Sequence, residues 1–275
     1  MLIAAVLTLR PLQPATLPAN LGRATHAWFL SQVRAADHTM AETLHQADAT
    51  RPFTLSNLWG TERPSEGQIT LSPEQTYFLR LTSFLPELSV LLREQVLSSL
   101  PETIELTGVP LRLMETTTDP AQHPWAGTTT FEELIQEHTL ALRSPPPRLI
   151  LRFASPTVFR SSGVNVPLPL PALVFGSLLQ KWNAFAPLRL PSEVRRFAEK
   201  TMVVSRYRLR TERVVFGEEG EREAYPGFVG MCSYSFRVRD RYWMGLIHLL
   251  AAFALYAGVG ARTTMGLGQT KPQFN

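Results

Sequence analysis

The sequence predicts an α+β protein made of two tandem domains, each with the element order βαββαβ. Three consecutive prolines at 145–147 interrupt regular structure near the middle of the chain. On each side of them, an apolar strand leads through a proline-bearing turn into a helix with a broad apolar face. We therefore expect one ferredoxin-like domain at residues 1–143 and a second at residues 148–275.

The individual elements follow from the spacing of apolar residues. In the first domain we expect a strand at 2–10, a helix at 21–36, strands within 68–84, a helix at 86–100 and a closing hairpin at 103–115. In the second we expect a strand at 148–156, a helix at 172–185 and strands at 201–216 and 227–239. A last helix begins after Asp240, which is a suitable N-cap, and ends at Gly258, before a C-terminal strand.

Charge divides unequally between the two halves. Residues 1–147 contain nine arginines and no lysine against 15 acidic residues, whereas residues 148–275 contain 15 arginines and three lysines against eight. A basic half of this kind indicates a polyanionic partner, and the excess of arginine favours forked contacts with phosphates.

Arg206, Arg208 and Arg210 alternate along one predicted strand and so share a face. The same spacing recurs at residues 237, 239 and 241. Such alternation also occurs on a merely solvated sheet face, but two ladders favour a surface that follows the phosphates of a polyanion.

Composition excludes several other classes of protein. A single cysteine, Cys232, rules out an intramolecular disulfide and a multi-thiolate metal site, and it fits a reducing compartment such as the cytoplasm. The N-terminus lacks a basic segment and a cleavage motif, so we interpret it as a strand and not a signal peptide. The longest apolar run, 242–257, is shorter than the roughly 20 residues of a membrane span. We therefore expect no membrane partner.

A glycine-rich segment, AGVGARTTMGLGQTKP, occupies residues 257–272. It does not fit a dinucleotide fingerprint, because Thr263 stands where the third glycine belongs and a helix precedes the segment. It lacks the Gly-Lys-Ser/Thr of a phosphate-binding P-loop. A helix stop followed by a turn remains open, as does a loop whose N–H groups bind an anion beside Arg262. In the second case the expected RNA contacts are Gly258, Gly260, Arg262, Thr263, Thr264, Gly266, Gly268 and Lys271.

Several segments resemble one known family. AFALYAGVGARTTMGLGQ is similar to the C-terminal glycine-rich motif of the CRISPR-associated RAMP endoribonucleases that process precursor crRNA. RFASPTVFR, PLPLPALVFGSLLQKWN and LHQADATRPFTLSNLWG resemble further parts of that family. The resemblance implies two ferredoxin-like domains and cleavage of CRISPR repeat RNA, as a stem-loop or single strand, without metal or cofactor. It implies a monomer or homodimer that works with subunits of a CRISPR effector complex. A RAMP subunit that binds RNA without cutting it is the alternative.

The resemblance also indicates catalytic residues. His45 ends a short predicted helix capped by Asp37, in the region that carries the family's active-site histidine, and it is the first candidate. His26 lies on the first helix, where family members often carry an active-site side chain, and it is the second. Arg51 follows His45 and suits a phosphate contact, as does Arg23 beside the first helix. A surface histidine at 45 and a core-edge histidine at 26 remain open, and His248 is expected in the core.

Overall fold

A computed structural model describes residues 1–46, 50–141, 144–216 and 223–273. The chain forms two compact units. One contains Met1–Thr128 together with Thr264–Gly266, and the other contains Thr129–Thr263 together with Leu267–Asn275. Each unit is built on an antiparallel sheet, so each is described on its own.

The described residues of the first unit form seven strands and three helices, with an eighth strand at the boundary of the unit. The strands are β1 (Leu2–Pro11), β2 (Ala15–Pro18), β3 (Phe53–Leu55), β4 (Gln68–Leu71), β5 (Tyr77–Ser83), β6 (Thr103–Leu106), β7 (Val109–Thr117) and β8 (Gly127–Thr129). The helices are α1 (Gly22–Ala36), α2 (His38–Gln46) and α3 (Pro86–Leu91), which continues as a wider turn over Leu92–Val96. Five strands follow the order β3-β5-β1-β7-β6 across the main sheet.

The centre of this sheet explains the unusually apolar start of the chain. β1 lies between β5 and β7, and nearly all of its residues are buried. Helix α1 buries Thr25, Phe29 and Val33 at intervals of four residues, which is the spacing of one helical face. This packing also holds His26, which follows Thr25 in α1, close to Phe53 of β3 in the sheet.

In the second unit, the residues that the structure describes form a four-stranded sheet and four helices. Its strands are β9 (Arg148–Thr157), β10 (Phe159–Ser161), β11 (Val164–Val166), β12 (Met202–Phe216), β13 (Glu223–Phe236) and β14 (Thr270–Gln273). Its helices are α4 (Phe131–Ile135), continued over Gln136–Leu140, α5 (Pro171–Phe185), α6 (Glu193–Thr201) and α7 (Arg241–Ala257). The sheet order is β12-β13-β9-β14.

The two sheets share one strand order, which confirms the predicted fold class. Numbering the four principal strands of each unit along the chain gives the order 2-3-1-4 in both cases, as expected for βαββαβ. The division between the units falls at residues 128 and 129, upstream of the proline segment that the sequence suggested. The reason is packing: Phe131 of α4 lies 5.0 Å from the ring of Trp182 and 6.0 Å from that of Phe253, both within the second unit.

Helix α7 is buried along most of its length. Asp240 caps its start by accepting a hydrogen bond from the Trp243 N–H at 3.2 Å, and Gly258 ends it with a positive φ of 60°, as the sequence predicted. In the part of the chain that the structure describes, no helix is long and apolar enough to cross a membrane.

One expected element is wrong. β13 ends at Phe236, three residues before the predicted end at 239. Arg237 and Arg239 therefore lie in the turn before α7, and Arg241 begins that helix. These three arginines do not form a second ladder on a strand. The first ladder, at Arg206, Arg208 and Arg210, does lie on β12, with all three side chains exposed.

Candidate active site

The start of α1 is fixed by side chains and by the glycine-rich segment. The Leu21 N–H donates to Asn57 Oδ1 at 2.9 Å, and the Gly22 N–H donates to Asn20 Oδ1 at 3.1 Å. These bonds satisfy N–H groups that a helix leaves unpaired at its start. A Cβ atom at Gly22 would overlap the carbonyl group of Met265. Only glycine therefore lets Thr264–Gly266, which belong to the same compact unit, pack against the first turn of α1.

His26 lies one turn further along α1, and its ring has two well-defined neighbours. Nδ1 lies 3.2 Å from the carbonyl oxygen of Thr264. The ring also stacks on Phe53, with centroids 5.6 Å apart and 30° between the planes. Because a carbonyl oxygen can only accept, Nδ1 carries the proton of this hydrogen bond, and Nε2 keeps its lone pair in the neutral ring. This is the tautomer that a general base needs.

The surroundings of His26 favour its neutral form. Burial, the largest effect, lowers its pKa below the usual 6.5, and the hydrogen bond to Thr264 opposes this in part. The positive charges of Arg51 and His45 lower the pKa further. All three residues predicted to be catalytic are thus close enough to interact electrostatically. The structure brings them together within the first unit.

His45 and Arg51 lie at the end of α2. His45 is exposed in the last turn of this helix, which begins where Asp37 Oδ1 accepts the Met40 N–H at 2.9 Å. Arg51 donates from Nη1 to the carbonyl oxygen of Leu44 at 2.7 Å. Arg51 thereby binds a carbonyl group of the last helical turn, and it places a cation beside His45. Residues 47–49 lie outside the described residues.

A shallow groove adjoins this group of residues. It has a volume of about 460 Å³ and is lined by Ala27, Leu30, Ser31, Arg34, Ala35 and His45. Both Arg34 and His45 are exposed on it, so it presents an imidazole and a guanidinium to a ligand. Across the described ranges of the chain, no three His, Cys, Asp or Glu side chains are grouped as metal ligands. The chemistry that these residues themselves offer is proton transfer by two imidazoles and charge stabilisation by arginine.

The N–H groups of the glycine-rich segment do not have the free orientation that the anion-loop hypothesis expects. The Val259 N–H donates to Gly268 O at 2.8 Å, and the Gly268 N–H donates to Pro156 O at 3.0 Å. The Gly260 N–H donates to Ser177 Oγ at 2.9 Å, and the Ala261 N–H donates to Val158 O at 2.9 Å. These four N–H groups are engaged within the fold, so they do not form the expected anion cradle.

The glycines of this segment also allow close packing. A Cβ at Gly260 would lie 2.5 Å from Val158 O, and one at Gly268 would overlap the carbonyl group of Val259. A Cβ at Gly266 would lie 2.6 Å from Asn57 Nδ2. Bulky residues at Gly260 and Gly266 would therefore damage folding first. A direct RNA contact by Gly258, Gly260, Gly266 and Gly268 stays a prediction.

The remaining predicted RNA contacts differ in accessibility. Arg262 is exposed, and its guanidinium lies 4.5 Å from the centre of the Tyr225 ring and donates to the Tyr225 hydroxyl at 2.9 Å. Thr263 and Thr264 are buried, whereas Arg23 is exposed on the first turn of α1. Lys271 is half-buried on β14. Arginine thus supplies the accessible positive charge of this set.

His248 and three aromatic side chains of the second unit lie outside the candidate site. His248 is buried and lies with Nε2 2.9 Å from Pro146 O, which confirms the expected core histidine. Phe159 and Tyr234 are core residues. Tyr207 is 70% exposed and lies between Arg206 and Arg208 in the sequence of β12. Of these three aromatic rings, Tyr207 is therefore the one that is available to stack on a base.

Sequence reasoning missed the groups that orient His26. The carbonyl of Thr264 is 238 positions away along the chain, and Phe53 was not considered for the site. Asn57, which binds the start of α1, was also missed. No sequence pattern predicts the position of a backbone carbonyl group. Asn57 could have been selected from the sequence, because it lies in a segment that resembles the family.

Two family models match the chain. CRISPR Cas6 N-terminal domain matches residues 1–136, and CRISPR-associated endoribonuclease Cas6 matches residues 151–270. Among curated proteins, the CRISPR-associated endoribonuclease Cas6 of Mycobacterium tuberculosis is 30% identical over 125 residues, which are 45% of this chain and 38% of that protein. The Streptococcus thermophilus protein of the same description is 28% identical over 43% of this chain and 48% of its own. The match thus spans less than half the length of these curated relatives.

Solved structures match over the whole chain. A Cas6 product complex is 29% identical, with a TM-score of 0.79, and the match covers 99% of this chain and 100% of that one. A second Cas6 product complex is 30% identical, with a TM-score of 0.76 and 99% of both chains covered. Thermus thermophilus Cas6 is 30% identical, with a TM-score of 0.74, and the match covers 99% of this chain and 98% of that one.

Proposed function

Because this chain belongs to the Cas6 family of CRISPR-associated endoribonucleases, we propose that it cleaves the repeat RNA of CRISPR precursor transcripts without a metal ion. The observation that carries this proposal is the orientation of His26. Its Nδ1 is bound to Thr264 O, its pKa is lowered, and its Nε2 is left as a base beside His45 and Arg51. We take the cut to occur once in each repeat, so that the product serves as guide RNA.

The reaction uses the RNA as its own nucleophile. Nε2 of His26 takes the proton of the ribose 2′-OH, and the 2′-oxygen forms a bond to the adjacent phosphorus. The bond from phosphorus to the 5′-oxygen breaks as His45, in its protonated form, donates a proton to that oxygen. The products are a 2′,3′-cyclic phosphate and a 5′-OH, and the enzyme has exchanged one proton at each histidine.

Arg51 stabilises the negative charge that accumulates on the phosphate during this reaction. One guanidinium N–H is bound to Leu44 O, which fixes the orientation of the group. A guanidinium stays charged at neutral pH and cannot act as a general acid, so its role is electrostatic. The first half of the chain contains no lysine, so a lysine-assisted reaction from that half is excluded.

The second unit binds the RNA. It carries most of the positive charge of the chain, including the exposed Arg206, Arg208 and Arg210 of β12. A paired repeat stem is A-form RNA, which is recognised through its shape and backbone, and such contacts suit alternating arginines. Two structural relatives are described as product complexes. We propose by analogy that this chain also holds its product.

Cleavage of a repeat RNA in the presence of EDTA tests this function. Wild type should cut at one position and leave a 2′,3′-cyclic phosphate, whereas His26→Ala and His45→Ala should cut about 10²–10⁴-fold more slowly, which is the range for a lost general acid or base. His38→Ala is the matched control, since His38 is exposed on α2 and pairs with Glu42 of the same helix at 3.7 Å.

Three outcomes would contradict the proposal in different ways. Loss of wild-type cleavage in EDTA would refute metal independence. Normal cleavage by both histidine variants would refute the assigned roles. Binding of repeat RNA with a steep salt dependence but no cleavage would favour the alternative, a RAMP subunit that binds RNA without cutting it.

A further inference from the structure

Lys181 is a buried lysine on the inner face of α5. It is 6% exposed, and its neighbours on this face include Leu178 and Trp182, which are also buried. Nζ donates to the carbonyl oxygens of Ala257 at 2.8 Å and Gly258 at 3.2 Å, and it lies 3.3 Å from Thr263 Oγ1. An ammonium group has three N–H donors, so these three acceptors account for all of them.

Burying a lysine in this position is costly, which calls for a reason. Removing an ammonium group from water is unfavourable, and burial lowers the pKa of Lys181 to about 7. The acceptors partly offset this cost, because the carbonyl groups at the end of α7 carry the negative end of the helix dipole. A leucine or methionine would fill the same space without desolvating a charge. The retained lysine must therefore supply its hydrogen bonds.

These hydrogen bonds join the two ends of the segment 257–263. Ala257 and Gly258 lie where α7 ends, and Thr263 lies six residues beyond Ala257. Arg262 directly precedes Thr263 and has a φ of +56°, a left-handed conformation that is unfavourable for a non-glycine residue. Such a conformation persists only where neighbouring contacts hold it. The bond from Lys181 to Thr263 and the contact of Arg262 with Tyr225 are such contacts.

We propose that Lys181 is a positioning residue for RNA binding: by joining residues 257–258 to Thr263, it fixes the segment in which Arg262 stands exposed over Tyr225, ready to bind an RNA phosphate. This inference rests on the proposed function, because it assumes that the chain binds repeat RNA. It assigns Lys181 no contact with RNA. Its effect passes through Arg262.

A double-mutant cycle on repeat RNA affinity tests this dependence. The proteins are wild type, Lys181→Met, Arg262→Ala and the double variant, measured with a non-cleavable repeat RNA that carries a 2′-deoxy substitution at the scissile position. We expect each single substitution to weaken binding roughly tenfold, the scale of a lost hydrogen bond to a charged group. The double variant should bind no more weakly than Arg262→Ala alone.

Two further variants separate positioning from loss of charge and from unfolding. Lys200→Met removes the same charge from an exposed position on α6, and it should change affinity less than twofold. Thr263→Val removes one of the three acceptors and keeps the volume of the side chain. It should weaken binding in the wild-type background but not in the Arg262→Ala background, and it answers the question even where Lys181→Met does not fold.

The possible outcomes separate failure of the inference about Lys181 from failure of the proposed function. Wild-type affinity in folded Lys181→Met or, where that variant does not fold, in Thr263→Val would overturn the inference and leave the proposed function intact. So would losses that add fully in the double variant, since Lys181 would then act independently of Arg262. A wild type that does not bind repeat RNA would overturn the proposed function and the inference with it.

Discussion

Replacing His26 by alanine tests whether a neutral imidazole is the base of the reaction. Burial lowers the pKa of His26 below 6.5, so the neutral form of His26 predominates at pH 7. The full contribution of a general base, about 10²–10⁴-fold, is therefore lost in His26→Ala at that pH. With about 1.36 kcal/mol for each factor of ten, this loss corresponds to roughly 2.7–5.5 kcal/mol of transition-state stabilisation.

The assay is single-turnover cleavage of repeat RNA from pH 4.5 to 8 with enzyme in excess. The base must be unprotonated and the acid, His45, must be protonated, so the wild-type rate should rise with pH as His26 loses its proton and fall again as His45 loses its own. Because the pKa is lowered, the midpoint of this rise should lie below 6.5. His26→Ala should be slower, and its rate should show no rise over that range.

A wild-type midpoint at or above pH 6.5, or a rise that persists unchanged in His26→Ala, would refute this reasoning. The first result would mean that the burial and the neighbouring charges do not govern the titration of His26. The second would assign the titrating base to another group. His38→Ala provides the control, because its rate should follow the wild-type profile.

Three further predictions concern stability and RNA binding. Between pH 7 and 10.5, the free energy of unfolding should rise more in wild type than in Lys181→Met. In this range the unfolded chain keeps a proton on Lys181 that the folded chain has lost. Urea denaturation at several pH values in this range measures the difference between the two proteins. Gly268→Ala should be destabilised by about 2–5 kcal/mol, because Gly268 has a φ of +70° and an added Cβ would overlap Val259 O. Gly163 has a similar φ of +81° but open space around it, so Gly163→Ala should lose only the roughly 1–2 kcal/mol of a left-handed residue. Arg208→Gln should reduce the slope of log affinity against log salt concentration by about 1, and an unchanged slope would remove β12 from the RNA surface.

Most of the secondary structure could be predicted from local patterns. The strand at β1, the cap of α7 at Asp240 and the end of that helix at Gly258 each depend on residues next to one another in sequence. The end of β13 could not be predicted in this way. Alternation continues through Arg237 and Arg239, but pairing with β12 begins at Phe236 opposite Met202. Strand length is set by the partner strand, which local alternation does not report.

The candidate site was predictable in its membership but not in its geometry. Sequence patterns and the family resemblance selected His26, His45 and Arg51, and the structure brings them together. Which nitrogen of His26 carries the proton depends on a carbonyl 238 positions away. The division of roles that we propose for the two histidines rests on that contact and on the difference in burial.

The glycine-rich segment shows why a motif can mark a family without establishing its chemistry. Its glycines allow the chain to approach its own backbone at Val158 and Val259, and these contacts would persist in a protein that does not cut RNA. The proposed reaction depends on what the segment meets, which here is the imidazole of His26 bound to Thr264 O. A chain with the same glycines but without a histidine at this position would keep those backbone contacts and lack the proposed base. The pairing of segment and histidine is therefore more informative about cleavage than the motif alone.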